Sequence, residues 1–126
     1  MARRLYTPDT ANQALPLVSS IARDVRETAL EMENLWTQAQ EASEGGDERQ
    51  RLEEQVRDIQ DRFGGLLNEL QQLGVELKDP FQGLLDFRAE RQGREVYLCW
   101  RLGEDSVAFW HELEAGFAGR QPMADF

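Results

Sequence analysis

His111-Glu112-Leu113-Glu114 sets the chain's one histidine beside two carboxylates, and chemistry would be sought there first. Imidazole is the side chain whose unperturbed titration falls near neutral pH. Flanked by acids, it could move a proton or hold a metal ion. One His and one Cys, however, exclude an HExxH helix and the paired ligand spacings of zinc sites. No metal or cofactor is therefore expected; His111, Glu112 and Glu114 are the ligands to try. Cys99, inside the apolar run Tyr97-Leu98-Cys99-Trp100, reads as a small core residue rather than a nucleophile. No Ser or Thr stands in a nucleophile-elbow context. Residues 116–120, GFAGR, lack the Lys-Ser/Thr pair of a phosphate loop. Arg120, after two glycines, could clamp an anion or pair with Glu112 or Glu114. Trp100 and Trp110 complete the candidate binding or interface set.

These residues need elements to position them. Thr7-Pro8-Asp9-Thr10 has the composition of a helix start, with a hydroxyl N-cap, Pro at the first helical position and an acid in the first turn. Pro16 lies too deep for that role, which predicts a short helix to about Gln13, a kink, and a main helix from Pro16 to about Ala42. Along it Val18, Ile21, Val25, Met32, Leu35 and Ala39 alternate steps of three and four, with Thr28 in the skipped slot. After the polar turn Glu41–Asp47, the residues Leu52, Val56, Ile59, Phe63, Leu66, Leu70 and Leu73 hold the same spacing. Two such stripes joined by a short loop predict an antiparallel helical hairpin with coiled-coil-like packing. Gly64-Gly65 inside the second stripe point to a bend or to close approach by another element, and Gly74 is the C-cap.

Past Gly74 the period changes to that of strands. Val75–Lys78, Leu84–Ala89 and Glu95–Arg101 read as strands, and Val107–Leu113 as a strand with a short helix as the competing reading. The expected architecture is a single α+β domain: helical over residues 1–74, a small antiparallel β-meander over 75–113, and an irregular tail over 114–126. Centring the first hairpin turn on Gln92 pairs Phe87 with Tyr97 and Leu85 with Cys99. Centring the second on Glu104 pairs Cys99 with Phe109 and Tyr97 with His111. Leu85, Phe87, Tyr97, Cys99, Phe109 and His111 then share a face toward the helices. Leu98, Trp100 and Trp110 share the other with Asp86, Arg88 and Glu112, a mixture suited to an interface or pocket.

Composition narrows the function. Net charge is -10, and no basic cluster exceeds the Arg3-Arg4 pair, which argues against a nucleic-acid partner. No apolar run reaches the ~20 residues of a membrane span. A single Cys cannot close an internal disulfide, which fits a reducing cytoplasm.

Five stretches, TPDTANQALPLV (Thr7–Val18), LGVELKDP (Leu73–Pro80), GLLDF (Gly83–Phe87), GREVYLCWRLGE (Gly93–Glu104) and FWHELEAGFAGRQP (Phe109–Pro122), resemble a bacterial family known as domain of unknown function 2203. The resemblance covers nearly the whole chain. It implies no established activity. It does imply that Trp100, Trp110, His111, Gly116, Phe117, Gly119 and Arg120 belong to a shared motif, and so to a shared site or interface. Two functions are expected to compete. One is a non-catalytic protein that self-associates through its helices or a sheet face. The other is a small enzyme or ligand- or metal-binding protein with a site around His111, Glu112 and Arg120.

Overall fold

The chain folds as two long helices followed by a five-stranded antiparallel sheet, in a computed structural model that describes residues 4–126. Arg3 of the Arg3-Arg4 pair lies outside the described residues. Helix α1, Pro8–Glu41, opens on a reciprocal capping box: the Thr10 amide donates to Thr7 Oγ1 at 3.1 Å and the Thr7 amide to Thr10 Oγ1 at 2.8 Å. The expected break before Pro16 does not occur, and α1 is continuous. Pro16 is exposed while Ala11, Leu15 and Val18 around it are buried. The bond that Pro16 forgoes is thus lost on the solvent side, where water can satisfy the freed carbonyl, and the packed face holds the helix through it.

Helix α2, Asp47–Gln72, returns along α1. The expected stripes face inward: Val18, Ile21, Val25, Thr28 and Ala39 of α1 are buried, as are Val56, Ile59 and Leu70 of α2. Ala11, Ala22 and Ala29 are buried too, small enough to escape an apolar-stripe reading. Helix α2 runs through Gly64 and Gly65 without a break, and neither admits a neighbour: nothing described lies within 4 Å of a Cβ placed on either. Gly74, at φ 75°, ends the hairpin in the left-handed conformation that glycine tolerates.

Strands β1 (Val75–Asp79), β2 (Leu84–Arg91), β3 (Arg94–Arg101), β4 (Phe109–Glu112) and β5 (Gln121–Pro122) pair in sequence order, all antiparallel. Strand β4 runs 109–112 rather than the expected 107–113 because Val107 is tied to α1: its amide donates to Asn12 Oδ1 at 2.8 Å and its carbonyl accepts from Asn12 Nδ2 at 3.2 Å. The tail is more ordered than expected, since β5 adds to the β4 edge and Met123 and Phe126 pack against the core.

The first hairpin corrects the expected register by one residue. Its turn is the two-residue Gln92-Gly93, with φ 52° and 81°, and not a turn centred on Gln92. Positive φ at both positions is the twist that matches two antiparallel strands. Phe87 therefore faces Leu98, Leu85 faces Trp100, and Asp86 faces Cys99. The second pairing is as expected, with Cys99 opposite Phe109 and Tyr97 opposite His111. One slip exchanges every side chain of a strand between faces. The inner face, against the helices, carries Leu85, Phe87, Ala89, Val96, Leu98, Trp100 and Trp110. The outer face carries Glu76, Asp86, Arg88, Tyr97, Cys99 and His111.

Candidate functional site

Outer-face residues of a sheet with helices on one side usually meet water. Here residues 113–117 fold back over them. Leu113, Glu114, Gly116 and Phe117 line a pocket of about 200 Å³ whose floor is Asp86, Cys99 and His111, with Tyr97 and Lys78 at its side. Gly116, at φ 67°, makes the reversal possible. The floor residues are 3%, 1% and 2% exposed, so three polar groups have been withdrawn from water together.

Each is held by regular structure. Strand pairing sets Asp86 opposite Cys99, and His111 opposite Tyr97 on the same face. His111 Nδ1–H donates to the Glu112 carbonyl at 2.7 Å, which leaves Nε2 turned to both Asp86 carboxylate oxygens at 3.1 Å. One proton lies between imidazole and carboxylate in that arrangement. Burial raises the Asp86 pKa, only partly offset by the charge of His111. Burial also pushes the Cys99 thiol up to about 12, helped by the neighbouring Asp86 charge. A thiol so held is no nucleophile at neutral pH. The set can bind, and it does not activate sulfur.

Around the pocket runs a second network. Glu76 accepts from Tyr97 Oη at 2.9 Å and pairs with Lys78 and with Arg88 Nε, each at 3.1 Å. Burial alone would raise its pKa, but the bonds from Lys78 and Tyr97 and the charges of Lys78 and Arg88 bring it below the usual carboxylate value. Lys78 also lies 4.9 Å from the Tyr97 ring centroid.

The sequence-derived candidates divide. His111 and Glu114 reach the pocket, the latter at its rim. Glu112 turns away to the surface, where Arg94 binds it through Nε at 2.7 Å and Nη2 at 3.2 Å and holds its pKa down. Arg120 bonds neither Glu112 nor Glu114; its guanidinium donates to Glu104 at 2.6 Å and stacks 3.8 Å from the Phe109 centroid. Trp100 and Trp110 are buried in the inner-face core. Trp100 Nε1–H donates to the Glu104 carbonyl at 3.0 Å, and Arg91 covers the Trp110 ring at 4.5 Å. The one-residue slip in register is what brings Asp86 onto the face of Cys99. A signal existed: grouping Leu85, Phe87 and Ala89 with Val96, Leu98 and Trp100 yields a face without one polar residue, cleaner than a face containing His, Cys and Tyr.

A larger and more open cleft of about 470 Å³ lies between α1 and the β3–β4 connection, past Arg23, Trp100 and Glu104. Glu104 is already engaged there by Arg120 and by the Arg101 amide. Among the described residues no set of metal-ligating side chains gathers in it.

With this geometry in place, the family comparison is informative. Residues 4–123 match the family model described as uncharacterized conserved protein (DUF2203). The chain belongs to that family. No curated protein and no solved structure matches. The DUF2203 match spans the helical hairpin, the sheet and the segment that closes the pocket, so the whole site lies within the family's extent. Among the described residues no helix is long and apolar enough to cross a membrane.

Proposed function

We propose that the protein is a small binding protein whose ligand enters the outer-face pocket and is held by Asp86, Cys99 and His111. The observation that carries this reading is the burial of three polar side chains on the sheet face opposite the helices, at the floor of a pocket. Stability does not call for them, since well-packed apolar residues of similar volume commonly serve a core as well as or better than a buried polar set. The test needs no knowledge of the ligand. The triple variant Asp86→Leu/Cys99→Val/His111→Phe should fold with a stability within about 1 kcal/mol of the wild type or above it. A loss beyond about 3 kcal/mol would assign the trio to the fold and remove this reading.

Self-association is the second reading, and less supports it. The apolar stripes of α1 and α2 face each other and the sheet within one chain. Leu17, Leu30 and Trp36 of α1 remain exposed. At ~100° per residue they point at least ~100° apart and form no common seam. Sedimentation at micromolar concentration separates the readings: a monomer is expected, and a dimer would restore the scaffold.

A further inference from the structure

We infer that Asp86, Cys99 and His111 form a three-ligand site for a divalent transition-metal ion of the zinc class, its open coordination position facing the pocket. This rests on the binding reading above and names its ligand. One carboxylate oxygen of Asp86, Cys99 Sγ and one ring nitrogen of His111 all lie within 4.8 Å of one another. Ligands held at about 2.0–2.3 Å around a tetrahedral ion stand roughly 3.3–3.8 Å apart, so the three need only small side-chain rotations to converge. Paired strands fix their backbones.

His111 carries the orientation that a metal ligand requires. A ligating imidazole usually gives its other N–H to a carbonyl or carboxylate, which fixes the tautomer and aims the lone pair. Nδ1–H is so used by the Glu112 carbonyl at 2.7 Å, leaving Nε2 as the ligand nitrogen. The donor set then selects the ion. Thiolate and imidazole disfavour magnesium and calcium, and the carboxylate disfavours copper(I), which leaves zinc and its divalent neighbours such as cobalt(II). Thiolate and carboxylate together carry two negative charges, which a divalent ion neutralises inside a buried site.

The fourth position looks into the 200 Å³ pocket, past Tyr97, Lys78 and Glu114. Three protein ligands with one open position is the pattern of sites that exchange a water or polarise a bound group, whereas structural zinc is closed by four. A small anionic or carbonyl-bearing molecule would be met there by the Lys78 ammonium. Neither Glu112 nor Arg120 takes part, each already paired elsewhere.

Cobalt(II) is the probe, titrated into the full chain after chelator treatment and dialysis. One ion per chain is expected, with the intense near-ultraviolet sulfur-to-cobalt charge-transfer band and the visible bands of tetrahedral cobalt. Zinc should displace it. Cys99→Ala should abolish the charge-transfer band, and affinity should fall at least ~100-fold, beyond the range for losing an outer partner of a ligand. His111→Gln should lower the affinity at least ~100-fold as well; were it to misfold, Cys99→Ala alone decides, since it removes only a small side chain. Glu112→Gln, whose side chain pairs with Arg94 outside the pocket, should bind as wild type. Failure of the wild type to bind cobalt or zinc at micromolar concentration overturns the assignment. So does a spectrum without the sulfur band, or a band that survives in Cys99→Ala. An apolar triple variant that keeps its stability while the wild type binds no metal would retire the metal and leave the pocket.

Discussion

The inner and outer faces of β2, β3 and β4 are both withdrawn from water, by opposite means. Inside, Leu85, Phe87, Ala89, Val96, Leu98, Trp100 and Trp110 present an apolar surface to the helical hairpin, and the Trp100 indole N–H is answered by the Glu104 carbonyl. Outside, Glu76, Arg88, Tyr97, Asp86 and His111 are held in position by directed bonds, and residues 113–117 close over the centre. Apolar burial is non-directional, so it fixes that a side chain is inside and not which atom it meets. A polar network fixes donor to acceptor and fails at the first missing partner. The inner face therefore makes the fold, while the outer face has the precision that a site needs.

The largest effect that separates the faces is a cavity in the inner one. Phe87→Ala should lose about 3–5 kcal/mol in urea melts, because Phe87 is fully buried and stacks edge-on with Tyr6. Leu98→Met, which keeps volume, should lose less than about 1.5 kcal/mol. Equal losses from the two would mean that the inner face is as stereospecific as the outer, and the contrast would fail.

On the outer side the loss should come through the partner left behind. Arg120→Ala should lower stability by about 1–3 kcal/mol, since Glu104 is then left partly buried without its cation. Arg120→Lys should recover only part of it, because an ammonium does not reproduce the planar stack on Phe109. Stability within about 0.5 kcal/mol of wild type for Arg120→Ala would mean that this end of the tail is not pinned.

The two faces also differ in how far they could be read from residues alone. The hairpin of helices is legible because Leu52, Val56, Ile59 and Phe63 keep one period for about three turns, and no other structure rewards that spacing. Pro16 misled because propensity weighs one residue, while the buried Leu15 and Val18 on either side act together. The outer site turned on one torsion. Gln92 at φ 52° makes the hairpin turn two residues long, and only glycine announces positive φ in a sequence. A turn one residue longer places Asp86 on the opposite face, away from Cys99. Glu112 is adjacent to His111 in sequence, yet the carboxylate that meets the imidazole is that of Asp86, 25 positions away. His111 itself was legible, as the one imidazole beside a patterned strand.

A third surface, the solvent side of α2, isolates backbone effects from both kinds of burial. Gly64 and Gly65 lie within the helix with open space where a Cβ would stand. Gly64→Ala and Gly65→Ala should each raise stability by about 1 kcal/mol through helix propensity and a less free unfolded chain. A loss from either, in thermal melts, would reveal a neighbour that approaches this face in solution, and would return the helices to consideration as an interface.

The smallest effect tests where the inner face is tied to what precedes it. Tyr6 is buried beside Phe87, its amide donates to the Arg88 carbonyl at 2.7 Å, and its hydroxyl donates to the Leu73 carbonyl at the end of α2. One residue thus joins the N-terminal segment, the hairpin and the sheet. Tyr6→Phe keeps the ring and should lose only about 0.5–1.5 kcal/mol, the net worth of one hydrogen bond. The pH dependence makes the measurement specific. Burial raises the Tyr6 pKa above 10.0, with the nearby Arg4 opposing it. A group whose folded pKa is raised contributes stability that is fully present below its unfolded value and is lost as pH rises through the folded one. The wild type should therefore exceed Tyr6→Phe by a constant margin up to about pH 10. Above that the margin should shrink and then reverse, because the phenolate cannot donate to the Leu73 carbonyl and Phe has no proton to lose. A margin that stays flat into alkaline solution would place the Tyr6 hydroxyl in water rather than at the junction, and the inner face would then end at Phe87.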